Sequence, residues 1–187
     1  MTGLIIVIAI VVLLVIILIS AYNRLVRLRN NRENAFADID VQLRQRHDLI
    51  PQLVDAVKGY MKHERELLTE VTEARANAMN AGSINDKIAA ESRLSNALGG
   101  LQVAVEAYPD LKASQNFMNL QEEISDVENK LAAARRFFNS ATKELNISVQ
   151  SFPSNLVAGM FGFHKEPMFD LGDRRAEMEE PPGISFE

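Results

Sequence analysis

Residues 4–19 contain only Leu, Ile, Val and a single Ala, and no other stretch of the chain constrains it so tightly. With the flanking Met1, Thr2, Gly3, Ser20 and Ala21 the run reaches the ~20 residues that cross ~30 Å of hydrocarbon at 1.5 Å per residue. Hydrocarbon offers no partner to a peptide group, so such a segment must be helical there despite its many β-branched side chains. A cleavable leader would carry a basic start, a shorter apolar run and a small-x-small cleavage site. Met1-Thr2-Gly3 carries no side-chain charge, and Ser20-Ala21 is half of such a site. With no polar face, the run does not suit the core of a soluble protein either. Residues 1–21 therefore read as a transmembrane signal anchor.

The flanks give its direction. Arg24, Arg27, Arg29 and Arg32 follow the run, and positive charge stays on the cytoplasmic side. The N-terminus is expected outside and the remainder inside, at a cell inner membrane crossed once. The same four membrane-proximal arginines suit anionic headgroups.

Cysteine is absent, which excludes disulfides, thiolate metal sites and a cysteine nucleophile. The net charge of −5 comes mostly from residues 165–187, rich in Asp and Glu, while the basic residues gather beside the span. Nucleic acid is therefore not an expected partner. Pro, Gly and acidic residues make 164–187 an acidic, flexible tail.

Between anchor and tail, over 22–163, the spacing is helical throughout. Phe36, Ile39, Leu43, Ile50, Val54, Val57, Met61, Leu68, Val71 and Ala78 form one stripe, predicting a first long helix that ends at Gly82-Ser83. Arg46, Glu64 and Arg75 interrupt this stripe and read as edge or snorkelling residues. Pro51 lies inside it and predicts a bend rather than a break, because the period resumes beyond it. Ser83 or Asn85 caps a second helix running to about Glu106, with Leu94, Leu98, Leu101 and Val105 on its stripe. Gly99-Gly100 marks a close approach to a neighbour, and Tyr108-Pro109-Asp110 a stop. A third helix carries Phe117, Leu120, Ile124, Val127, Leu131, Ala134, Phe138, Ala141, Leu145, Ser148 and Phe152 up to Pro153. A short fourth, capped at Ser154, contains Leu156, Val157, Met160, Phe161 and Phe163 and docks on the bundle, on lipid or on a partner. The expected fold is all-α: the membrane helix continues into an antiparallel up-and-down bundle of three to four long, coiled-coil-like helices.

Several stretches resemble a known family. They are residues 35–51, opening Ala35-Phe36-Ala37-Asp38-Ile39 and closing Asp48-Leu49-Ile50-Pro51; Val57-Lys58-Gly59-Tyr60 through His63-Glu64; Glu106-Ala107-Tyr108-Pro109-Asp110-Leu111-Lys112; Glu128-Asn129 with Ala134-Arg135-Arg136-Phe137-Phe138-Asn139; and Phe152-Pro153-Ser154-Asn155. Together they look like the signature of the LemA family over essentially the whole chain. Phe137-Phe138 stands where members often carry Tyr or Phe. The resemblance implies a bacterial protein with one N-terminal span and an antiparallel helical bundle. It implies no established activity, and a setting near membrane proteases and other envelope proteins.

No catalytic constellation stands out. Di-metal bundles repeat Glu-x-x-His on two helices; His47, His63 and His164 each lack that glutamate, and His63 with Glu66 runs in reverse. A solvated face accounts for His63, Glu64, Glu66, Glu70 and Glu73. No cofactor, metal or small-molecule substrate is expected. The densest polar group is Arg44, Arg46, His47 and Asp48 beside Pro51. There a cation would satisfy the carbonyl that proline frees, and Asp48 would pair with Arg135 or Arg136. Such a group serves packing register or a partner protein. The functional expectation is a non-enzymatic membrane-anchored scaffold or adaptor at the cytoplasmic face, in envelope or membrane-protein quality control. A homo-oligomeric membrane organiser is the alternative, and an enzyme with an unrecognised site the remote one.

Overall fold

In the computed structural model, which describes residues 1–61 and 63–169, every regular element is helical. The helices are α1 (Thr2–Lys58), α2 (Arg65–Asn80), α3 (Ile84–Val105), α4 (Pro109–Lys112), α5 (Gln115–Gln150) and α6 (Ser154–Phe161). The all-α reading therefore holds. α1 is one helix of 57 residues, unbroken from the apolar run through Pro51. Its apolar N-terminal stretch is long enough to cross a membrane, and none of that stretch is buried in the protein.

The long first helix expected from the stripe is in fact two, because α1 ends at Lys58 and α2 starts at Arg65. Gly59, a poor helix former, follows Lys58 directly. The amides of Tyr60 and Met61 both return to the Val57 carbonyl, at 3.0 and 2.9 Å, closing the helix end. Periodicity conceals this reversal because Val57, Met61 and Leu68 are all buried in one core and keep three-four spacing across the turn.

The chain forms two compact units. In the unit containing Gln42–Lys130, Ile50, Val57 and Met61 meet Leu68, Val71 and Ala78 of α2, Leu94, Ala97, Leu101 and Val105 of α3, Leu111 of α4 and Phe117 of α5. α2 and α3 make a hairpin: Ser83 accepts the Asp86 amide through its side chain, and Asp86 reaches back to the Ser83 amide, a reciprocal cap. At the other end of the hairpin, a Cβ on Gly100 would lie 3.3 Å from Leu67 Cδ1, the close approach expected of the Gly99-Gly100 pair. Ser83→Ala is expected to cost about 1 kcal/mol, and Ser83→Gly a few tenths, in urea unfolding of the detergent-solubilised chain.

The unit containing Met1–Val41 and Leu131–Met168 pairs α1 with α5 antiparallel. Leu25 shares a core with Leu145, and Phe36 meets Phe138 edge-on at 5.6 Å. The expected α5 stripe is buried at Leu131, Phe138, Ala141, Leu145 and Ser148, but Phe152 lies beyond the helix end and is 80 % exposed. α6 starts where expected, although its N-cap is Pro153 and Ser154 is its first residue, without a side-chain cap. Gly162, at φ +71°, closes it in the left-handed conformation that glycine adopts without a Cβ penalty.

Glu166, in the segment expected to be loose, is bonded to α5. The Asn146 side chain donates to the Glu166 carbonyl at 2.9 Å and accepts the Glu166 amide at 2.8 Å. The rest of the acidic tail, 170–187, lies outside the described residues.

Candidate functional site

The stripe position of Arg46 suggested an edge residue, but the structure buries it. Its side chain is 4 % exposed and lies among three helices. Nη1 is 3.2 Å from Glu91 Oε2, Nη2 donates to Ser95 Oγ at 2.9 Å, and Nε faces Glu128 Oε1 at 2.9 Å. Glu91, whose side chain is 1 % exposed, also holds His47 Nε2 at 2.6 Å through its other oxygen. One buried carboxylate thus joins two successive residues of α1 to α3. A buried ion pair owes its stability to such completeness, because each charge has lost its water.

Pro51 shapes the same place. Lacking an N–H, it cannot bond the carbonyl four residues back, that of His47. Arg75 of α2 fills the gap, donating from Nε to the His47 oxygen at 2.6 Å. A cation on the freed carbonyl was the sequence expectation, and Arg75, read from spacing as an edge residue, supplies it. Arg75→Ala is therefore expected to cost about 1.5–3 kcal/mol. In a Pro51→Ala background, where residue 51 regains its amide, the same change should cost about 1 kcal/mol less, and a double-mutant cycle by urea unfolding measures the difference.

Arg44 and Asp48 lie on the exposed side of α1, flanking the buried pair. The Asp48 carbonyl accepts from Gln52 at 3.3 Å. Arg135 and Arg136 belong to the other unit, where Arg135 is buried and Arg136 exposed.

That unit holds a second polar cluster. Arg24, Arg27 and Arg29 are exposed, but Arg32, grouped with them by sequence, is 5 % exposed and turned away from solvent. Its guanidinium sits 4.9 Å from the centre of the Phe138 ring, 3.5 Å from Glu166 Oε2, and donates to the Pro167 carbonyl at 3.4 Å. Burial lowers its pKa from the ordinary arginine value, while the Glu166 and Glu33 carboxylates oppose that shift.

Sequence reasoning missed Glu91 and the burial of Arg32, and spacing held a signal for both. Glu91 falls three residues after Ile88 and three before Leu94, on the buried stripe of α3. Arg32 is seven residues after Leu25 and four before Phe36, both buried. A charge on an apolar stripe asks for a partner, and here each has one.

The Glu91 cluster ties α1 to α3 through one carboxylate. His47 directs Nε2 to Glu91 and Ser95 receives Arg46, so no imidazole activates the serine hydroxyl. Among the described residues no group of three or more His, Asp or Glu is gathered as metal ligands.

The LemA family model matches residues 35–186. Protein LemA of Metamycoplasma hominis is 27 % identical over 152 residues, covering 81 % of this chain and 69 % of that protein. Magnetosome protein MamQ 2 of Paramagnetospirillum magneticum and magnetosome protein MamQ of Magnetospirillum gryphiswaldense are each 21 % identical over 178 residues, covering 81 % of this chain. The chain spans 65 % of the length of each magnetosome protein, just under two-thirds.

Proposed function

This chain belongs to the LemA family, and from that premise we propose that it is a non-enzymatic scaffold or adaptor which holds a rigid helical surface beside a bacterial inner membrane. The observation that carries this reading is the continuity of α1, a single helix from its exposed apolar stretch to residues packed in the helical cores. Anchor and folded part share that helix, so residues 1–21 act as a stalk rather than a tether. None of these relatives is named for a reaction. The buried charges are directed at one another, which is what a packing element requires and a reacting group does not.

In this proposal the bundle spans 22–163 and faces the cytoplasm, because Arg24, Arg27 and Arg29 are exposed just past the span. The acidic tail covers 164–187. Arg46, His47 and Arg135 are packing residues, and the exposed Arg44 and Asp48 are the partner-facing members of the polar group. Envelope or membrane-protein quality control is the setting proposed for it.

Proximity labelling in living cells tests the reading, with sidedness reported by single cysteines at Thr2 and Asn80. The expected result is cytoplasmic reaction at Asn80 and a reproducible partner set that is lost on Arg44→Glu and Asp48→Lys substitution. Arg46 and Phe138 are unsuitable probes, since both are buried. Capture of nothing but the chain itself would sink the adaptor in favour of a self-assembling membrane organiser.

A further inference from the structure

Helix α6 is apolar on both sides. Val157 and Ala158 enter a core with Ala21, Leu25 and Leu145. Leu156 and Met160, on the side turned away from Val157 and Ala158, are 56 and 73 % exposed, and Phe161, beside Tyr22, is 60 % exposed. Three large apolar side chains on eight residues are more than a solvated surface helix carries.

Where α6 is attached to α1 identifies what covers them. The Tyr22 ring lies 4.8 Å from Phe161 and 6.0 Å from Phe163. Tyr22 directly follows Ala21, so it stands only ~3 Å beyond Ser20 along the helix axis. A helix held at Tyr22 is held at the height where the lipid-facing run ends. Tyrosine is itself suited to that boundary, with an apolar ring and a polar tip. Exposed Arg24 and Arg27 lie within the next turn and a half, where lipid phosphates would be. Arg29 is drawn instead over the Phe163 ring, 5.2 Å from its centre.

We infer that α6 is an interfacial helix, whose Leu156, Met160 and Phe161 enter the acyl–headgroup boundary of the bilayer crossed by α1, with Arg24 and Arg27 meeting anionic headgroups. The inference rests on the membrane-anchor reading and adds a second point of attachment to it. Short apolar faces flanked by basic residues bind this way, lying in the plane of the interface.

The absence of cysteine makes a direct test practical. The full chain is reconstituted in phosphatidylcholine vesicles containing phosphatidylglycerol. An environment-sensitive fluorophore is placed on Met160→Cys, Val12→Cys or Phe137→Cys, and quenched with lipid bearing a shallow acyl spin label or with aqueous iodide. Phe137 is the control: it is apolar and 61 % exposed, but its neighbour Phe138 is held at the level of Phe36, roughly 21 Å further along α1 than Tyr22. The expected result is lipid quenching at position 160 several-fold stronger than at 137, with iodide quenching correspondingly weaker.

Iodide quenching at 160 equal to that at 137, with position 12 still quenched by lipid, would overturn the interfacial helix and leave the anchor standing. Protection of 160 from both quenchers would also overturn it, because a protein or a second copy would then cover the face. Loss of lipid quenching at position 12 would overturn the anchor and the inference together.

Discussion

Replacing Glu91 with alanine is expected to lower the unfolding free energy by about 3–5 kcal/mol, because it strands Arg46 and His47 in a low-dielectric interior without their shared carboxylate. Urea unfolding of the detergent-solubilised chain, followed by far-ultraviolet circular dichroism, measures the loss. Glu128→Ala is the control. Glu128 also contacts Arg46, but its side chain is 36 % exposed, water can replace it, and its removal should cost no more than about 1 kcal/mol. A double replacement, Arg46→Met with Glu91→Leu, is expected to be less damaging than Glu91→Ala alone, since it removes both charges and keeps the volume. A Glu91→Ala loss below that of Glu128→Ala would mean the buried carboxylate is not the centre of the cluster.

Phe138→Ala is expected to cost as much again in the other unit. Phe138 is fully buried, with 0 % exposure. Truncating a buried phenylalanine costs about 3–5 kcal/mol through lost transfer energy and the cavity left behind. The edge-on contact with Phe36 adds about 0.5–1.5 kcal/mol. The substitution also strips the aromatic face from under Arg32, leaving that cation to Glu166 and the Pro167 carbonyl. Phe137→Ala next door should change stability by no more than about 0.5 kcal/mol. The two neighbours thus separate burial from aromatic character in one unfolding experiment, and equal losses would contradict the packing described for α5.

Local pattern carried most of the fold. The apolar run, the α5 stripe, the Ser83 cap and the tolerance of Pro51 within α1 each depend on residues a few positions apart, and all were legible. The turn after Lys58 was not, because both arms of that hairpin present buried residues in an unbroken three-four rhythm. The polar sites failed for a different reason. Spacing tells which face of a helix a charge occupies, but not which residue of another helix will meet it there. Arg44 and Arg46 are two residues apart and chemically identical; only α3, 45 positions further along with Glu91, makes one of them a buried ion. Arg32 likewise could not be separated from Arg24, Arg27 and Arg29 until Glu166 arrived from the far end of the chain.

The continuity of α1 also makes rotation a structural variable. A helix turns about 100° per residue, and nothing between Ser20 and the Leu25–Leu145 contact lets that angle relax. The azimuth at which the span meets its lipid or protein neighbours is therefore locked to the side on which α5 and α6 are carried. One alanine inserted between Ile19 and Ser20 would swing that side through roughly 100°, whereas seven would return it to within about 20° of its starting direction. Any process that reads the direction in which this bundle faces should follow the insertion length as a wave rather than as a slope.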